Sequence, residues 1–235
     1  MAERPVYLVE QETNSVKRIT VEFVFCPGFS IKQKQKSITN LHNNFKEKNP
    51  DLNILEVSSK SSEELGVKLS AFNLTINTGD GRFCFMENLF QSAKVFENGG
   101  PYEDLLFKTP GDAKKDQRLR GSGELTGFRF KDRKYPTEPK TMFYNWLYLH
   151  ALYQKQNRDL MREIIRYDAF TDIEFNPKKS INCQAEACAH FVSLYRRNRL
   201  IDALKSMDVF EKELYGDNAK NREPTIGNLL NCEKS

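Results

Sequence analysis

Along the first sixty positions the apolar residues keep strand spacing, then helix spacing, then strand spacing again. Residues 6–9 (V-Y-L-V) form a short apolar run. Ile19, Val21, Phe23 and Phe25 then alternate with Thr20, Glu22 and Val24, the two-residue period of a strand. Pro27-Gly28 breaks it. Ser30 can cap a helix carrying Ile31, Ile38, Leu41 and Phe45, and Asn49-Pro50 ends that helix. Residues 54–57 read as another strand. Residues 58–68 (S-S-K-S-S-E-E-L-G-V-K) read as a polar loop, and 69–76 and 82–86 flank N-T-G-D-G, the turn chemistry of a hairpin. From Glu87 onward the pattern predicts helices over 87–97, 102–107, 110–119, 139–155, 157–167, 182–197 and 199–214. Thr109-Pro110-Gly111-Asp112 is a helix start, with Thr as N-cap, Pro at the first helical position and an acid in the first turn. The expected fold is α+β and helix-dominated: a small N-terminal αβ extension over 1–57, a core over 58–215 with a β-hairpin before the helix at 87, and a polar tail over 216–235.

Composition narrows the classes. A chain of 235 residues fits one domain or a domain with an extension. With 39% apolar and 29% charged residues it matches a soluble globular protein. The charge sum, 36 − 32 = +4, admits a phosphate-bearing ligand and excludes a polybasic binder. No apolar run reaches the length of a membrane span, and the run at 6–9 is too short for a signal-peptide core, so a cytoplasmic protein is expected. Cys26, Cys84, Cys183, Cys188 and Cys232 are odd in number and scattered, and read as reduced thiols. His42, His150 and His190 do not fall at metal-ligand spacing. Chemistry is therefore expected from carboxylates, amines, amides or hydroxyls, with neither metal nor cofactor.

Four segments carry candidate chemistry. On a helix over 87–97, Glu87, Gln91, Lys94 and Asn98 form one polar stripe about 60° wide, beside an apolar arc of about 120° made by Met86, Leu89, Phe90, Ala93 and Phe96. Such a stripe is either a solvated helix face or the wall of a cleft; in a cleft, Lys94 would be a desolvated amine able to act as nucleophile or base. Residues 167–184 place Asp172, Asn176, Lys178, Lys179, Ser180 and Asn182 in a polar loop between helices, where Ser180 or Asn182 either caps the next helix or binds a ligand. Lys114, Lys115, Arg118 and Arg120 before Gly121-Ser122-Gly123 form either a surface charge run or a phosphate-holding edge. Lys32, Lys34 and Lys36 suit either a polar helix face or contact with a phosphate backbone. Phe143, Trp146 and Tyr153 sit at helical spacing, so most aromatic residues are expected in the core.

The run E-N-L-F-Q-S-A-K-V-F, residues 87–96, resembles the Glu-x-x-Phe-Gln-x-x-Lys-x-Phe pattern of the NADAR (YbiA-like) family. L-S-A-F-N (69–73) is similar to that family's Leu-Ser-Asn-Phe segment, with Ala71 in place of Asn. Asp172 and Asn182 stand where the family has an Asp before an aromatic and an Asn before its last core helix. The runs at 25–38, 57–61, 135–141 and 175–185 resemble the branch of antitoxins paired with DarT-type toxins, over about residues 4–200. The family places a Trp before its long central helix; Trp146 lies inside that helix, and Tyr135 stands as the possible substitute.

The resemblance implies a YbiA-like helical core that hydrolyses a glycosidic bond, removing from guanine in DNA the ADP-ribose that the paired toxin attaches. By position it implies Glu87, Lys94 and Asp172 as the catalytic group. Ser70, Phe72, Phe90, Gln91 and Asn182 would contact the substrate, with Phe72 and Phe90 as walls for a base, and Arg118, Arg120 and Lys60 would hold the pyrophosphate. The implied partners are single-stranded or flipped ADP-ribosylated DNA, ADP-ribose as product, and a cognate DarT-type toxin, with no membrane. Two chemical routes stay open: a Schiff base on Lys94, or displacement by water between Glu87 and Asp172. Two other functions compete: an N-glycosidase acting on a small ribosylamine metabolite, and a non-enzymatic antitoxin that binds its toxin.

Overall fold

The computed structural model describes residues 1–79 and 81–216. The tail expected over 216–235 and Cys232 lie outside them, Gly216 excepted. Strands β1 (Ala2–Val9) and β2 (Val16–Phe23) pair antiparallel, from Val9 opposite Val16 to Ala2 opposite Phe23. Helix α1 (Ile31–Lys48) starts as the sequence predicts, the Ser30 hydroxyl accepting from Gln33 N–H at 3.3 Å. The chain returns as β3 (Ile54–Glu56).

The expected polar loop at 58–68 holds a short helix, α2 (Glu64–Leu69). Gly66 lowers its intrinsic helix propensity by about 1 kcal/mol, which hides it from the sequence. The glycine is needed because a Cβ there would stand 2.0 Å from the Glu56 carbonyl oxygen. The hairpin forms as expected but is shorter: β4 (Thr75–Asn77) against β5 (Phe83–Phe85). It leads straight into α3 (Met86–Ser92).

The helix expected over 87–97 stops at Ser92, and Lys94–Phe96 is a strand, β6. The Ala93 N–H makes the last helical bond, to Leu89, while the Ala93 carbonyl already accepts from Arg129 N–H at 2.7 Å. Sheet pairing takes over there. Its partners form a hairpin that the helical reading of this region overlooked: β7 (Leu125–Phe130), which pairs with β6, and β8 (Arg133–Tyr135). Glu87, Gln91 and Lys94 therefore do not share one helix face.

Between β6 and β7, a 3₁₀ turn over Glu103–Phe107 precedes α4 (Pro110–Lys115), capped by Thr109 as predicted, its hydroxyl accepting from Asp112 N–H at 3.2 Å. The helix expected over 110–119 breaks at Asp116, whose ψ of 128° is extended, and resumes as α5 (Arg118–Gly121). Helix α6 (Met142–Tyr153) is buried almost all round and is followed by α7 (Arg158–Ile164). Within the expected loop at 167–184 lies β9 (Ala169–Thr171), buried throughout. Three residues give no period to read. Next comes α8 (Gln184–Arg196). The last expected helix divides into α9 (Leu200–Lys205) and α10 (Met207–Tyr215) at the extended Ser206.

Helix is about 45% of the structure and strand about 19%, so the fold is mixed α/β with helix predominant. The principal sheet has the order β2-β1-β9-β3, with β9 antiparallel to β1 and parallel to β3. Successive side chains alternate between its faces. Val6, Ile54, Ala169 and Ile173 join Ile38, Leu41 and Phe45 of α1 on one side. Tyr7, Leu55, Val57 and Phe170 join the larger core around α6 and α8 on the other. Each Val, Leu, Ile or Phe side chain among these that is fully withdrawn from water contributes about 1.5–3 kcal/mol. Cys26, Cys183 and Cys188 are free thiols. No helix of the described residues is long and apolar enough to cross a membrane.

Candidate active site

Glu87 opens the first turn of α3. Its N–H donates to the Ala71 carbonyl at 3.0 Å, and Ala71 N–H donates to the Gln184 side chain at 2.8 Å. The head of α3, the turn over 70–72 and the start of α8 are thereby tied together. Buried Asn88 adds a second tie, donating to the Leu105 and Lys108 carbonyls at 2.8 and 2.6 Å. That fixes the segment leading into α4, whose Lys114 reaches back to the site.

These elements enclose a cavity of about 310 Å³. Glu87, Phe72 and Lys114 line one part of it, and Asp172, Phe175 and Asn182 another, with Tyr144 of α6 also in the wall. Ser58, Ser59, Ser70, Glu174, Ser180 and Gln184 complete it. Glu87 is nearly inaccessible. Its Oε1 accepts from Gln91 Nε2 at 2.8 Å, and Lys114 Nζ stands 3.6 Å away. The same amine lies 5.2 Å from the centre of the Phe72 ring, within cation–π range.

Asp172 follows β9 directly. Burial, with the neighbouring Glu56 carboxyl, pushes it up to about 8 despite the N–H groups of Glu174 and Phe175 that donate to its Oδ1 at 3.0 and 3.2 Å. Burial outweighs the hydrogen bonds because removing a carboxylate from water costs more than two amide donors return. A carboxyl in that state keeps its proton at neutral pH. Glu87 has an amine beside it and Asp172 has a second carboxyl, so one cavity holds two acids with unlike neighbours.

Lys94 does not line this cavity. It is half-buried on β6, its amine 4.9 Å from the centre of the Phe90 ring. Burial brings it down to about 8; Glu87 opposes the shift and Lys114 adds to it. Gln91 reaches Glu87 from within α3. Phe90 packs into the core against Phe128, Phe143 and Tyr144, with ring centres 5.6, 6.3 and 5.1 Å away, and lines no part of the cavity. Lys60 follows the lining residue Ser59 in sequence and does not itself line the cavity. Tyr135 packs on Phe143 at 4.8 Å, away from the cavity lining.

The proposed pyrophosphate arginines are not brought to the cavity. Arg118 bonds Asp104 at 2.6 and 3.1 Å and Asp116 at 2.8 and 3.0 Å, and stacks over Tyr102 at 4.4 Å. It holds the Asp116 carboxyl well below the usual carboxylate range. Arg120 is exposed on α5. Of the surface lysines on α1, Lys34 pairs with the lining residue Glu174 at 2.9 Å. Asn182 is not the cap of α8, whose N-cap is Cys183; its Oδ1 is buried and has no hydrogen-bond partner among the described residues.

The sequence reading missed Lys114 as a cavity residue, along with Tyr144 and Ser58. Lys114 lay in a cationic run whose neighbours face elsewhere, and only the packing of α4 on α3 singles it out. Among the described residues no cluster of His, Cys, Asp and Glu could hold a metal ion. Among curated proteins no relative matches the chain. The family model described as DarT1-associated NADAR antitoxin matches residues 2–224.

Proposed function

The chain belongs to the family of DarT1-associated NADAR antitoxins, and we propose that it acts there as a hydrolase, removing ADP-ribose from guanine in DNA by cleaving the bond between the ribose anomeric carbon and the base amine. The observation that carries this reading is the meeting of Asp172 and Glu87 in one cavity with unlike surroundings. Asp172, protonated at neutral pH, gives its proton to the departing amine. Glu87, paired with Lys114, stabilises the oxocarbenium-like carbon and takes a proton from the attacking water. The products are free ADP-ribose and the restored guanine. A volume of about 310 Å³ is at the lower end of ligand-pocket sizes. It suits the ribosyl unit, leaving the pyrophosphate at the mouth near Lys114 and Lys60.

A second route has its own observation. An amine brought down to about 8 is about one-tenth neutral at pH 7, enough for Lys94 to form a Schiff base with an opened ribose. The amine would have to reach past Glu87 to the anomeric carbon.

The test is incubation of the purified protein with an oligonucleotide bearing ADP-ribosylated guanine. Release of free ADP-ribose is expected. No release together with tight binding of a DarT-type toxin would favour a non-enzymatic antitoxin. Turnover confined to a free ribosylamine would favour a small-molecule N-glycosidase.

A further inference from the structure

Glu56, at the end of β3, is a carboxyl for which the reaction just described has no use. It is 2% exposed, and its hydrogen-bond partners among the described residues are hydroxyls and an amide, not a cation. Oε2 accepts from the Thr171 hydroxyl at 2.7 Å and Oε1 from Ile173 N–H at 2.8 Å. One carboxylate thus clasps the residues on both sides of Asp172. Glu56 lies opposite Thr171 in the parallel β3–β9 register. Strand alternation sends both toward the α1 face, along with Ile54 and Ile173, while Asp172 opens into the cavity with Tyr144. The array continues into α1, where His42 Nε2 lies 2.8 Å from Thr171 Oγ1. The Thr171 proton goes to Glu56, so His42 is the donor and carries its proton on Nε2. Burial brings His42 down to about 4, which keeps it neutral.

We propose that Glu56 is a positioning residue for Asp172, gripping its backbone from the opposite face of the sheet and opposing a second negative charge beside it. Two buried carboxyl groups that interact share one proton more readily than they bear two charges. Burial raises both, and the Glu56 carboxyl raises Asp172 further. The other groups facing Asp172 do not change the sign. Glu174 on its own turn adds negative charge. Tyr144 and Tyr148 on α6, with Cys183 and Cys188 at α8, are held in their neutral forms by burial. Across the cavity, Glu87 and Lys114 form a pair. The proton on Asp172 is thus maintained from inside the fold and is present before substrate arrives.

The inference rests on the reading of Asp172 as the acid, and its test separates the two. Carboxyl ¹³C NMR of the full chain, assigned with Asp172→Asn, follows the titration without substrate. The wild-type Asp172 signal is expected to titrate in two steps, shared with a Glu signal that Glu56→Gln removes. In Glu56→Gln the Asp172 midpoint is expected to fall by at least one pH unit, about a tenfold change in proton affinity. The alkaline limb of ADP-ribose release should move with it. Glutamine can keep both clasps if the His42 tautomer reverses, so the fold should survive. A single-step Asp172 titration in the wild type overturns the proposal even if the variant does not fold, as does a midpoint unmoved in Glu56→Gln. A shared titration in a protein that releases no ADP-ribose would support the carboxyl pair while rejecting the hydrolase reading.

Discussion

Lys114 Nζ stands 3.6 Å from Oε1 of Glu87 and 5.2 Å from the centre of the Phe72 ring. The two partners differ sharply in exposure: the lysine side chain is 56% exposed and the glutamate side chain 5%. Lys114 therefore links a buried carboxylate to the mouth of the cavity, where an arriving anion meets it first. Lys114→Met is expected to raise KM about tenfold or more and to leave kcat within a few-fold, since it removes binding felt equally by ground and transition states. Steady-state kinetics on the modified oligonucleotide read this out. A fall in kcat with KM unchanged would instead place the lysine in the chemical step.

Glu87→Gln should fold normally, because the amide can still bond Gln91. Hydrolysis should drop by about 10²–10⁴-fold if Glu87 works as an acid–base group. Circular dichroism and single-turnover release of ADP-ribose check the two halves, and near wild-type turnover would falsify the role.

Asp172 makes a prediction about stability as well as activity. Its carboxyl is raised from 3.8 to about 8, so between those values the folded state holds a proton that the unfolded state has released. Stability contributed by this group therefore falls as pH rises through that window. Asp172→Asn should abolish hydrolysis and melt at a higher temperature than the wild type at pH 8, with the difference shrinking toward pH 4. Equal melting temperatures at pH 8 would mean that the carboxyl is not held protonated.

The pH profile also separates the two routes. Displacement by water with Asp172 as acid should lose rate as pH rises above about 8. A route that also needs neutral Lys94 gains rate as pH rises toward about 8, giving a bell with its maximum near there. In that case borohydride should trap an adduct of ADP-ribose mass on Lys94, and Lys94→Arg should be inactive, since arginine cannot form the Schiff base. An active Lys94→Arg protein with no trapped adduct leaves the lysine as a charge only.

Arg118 is committed to Asp104 and Asp116. Arg118→Ala should cost about 1 kcal/mol, as expected of a partly exposed ion-pair network, or about 2–4 °C in Tm for a chain of this size, with KM and kcat unchanged. Calorimetry beside kinetics tests this; a clear loss of substrate affinity would return the residue to phosphate binding.

What was legible in the sequence had length or chemistry behind it. The β2 alternation, the Ser30 cap of α1 and the Thr109-Pro110 start of α4 each state a period or a capping rule within a few neighbouring residues. The misreadings are elements decided by distant partners. Lys94–Phe96 continues a helical pattern and becomes a strand because β7 lies alongside; β9 has three residues and exists because β1 and β3 flank it. The site divides in the same way. Glu87, Asp172, Ser70, Phe72 and Asn182 meet in the cavity, whereas Lys94 does not line it and Arg118 is held by local aspartates. Lys114 was hidden among equal neighbours, and no local signal distinguishes it from Lys115.

The place of β9 has a consequence for how this chain can be cut or rebuilt. Asp172 hangs from a strand gripped on one side by residues Tyr7 and Leu8 and on the other by Ile54–Glu56. The first fifty-odd residues, which resemble a detachable appendage when read alone, are the bracket on which one wall of the cavity is mounted. A fragment starting at residue 58 would keep every side chain that lines the cavity and lose the frame that aims one of them. Inheritance, grafting or trimming of this cavity must therefore carry the N-terminal layer along with the helices.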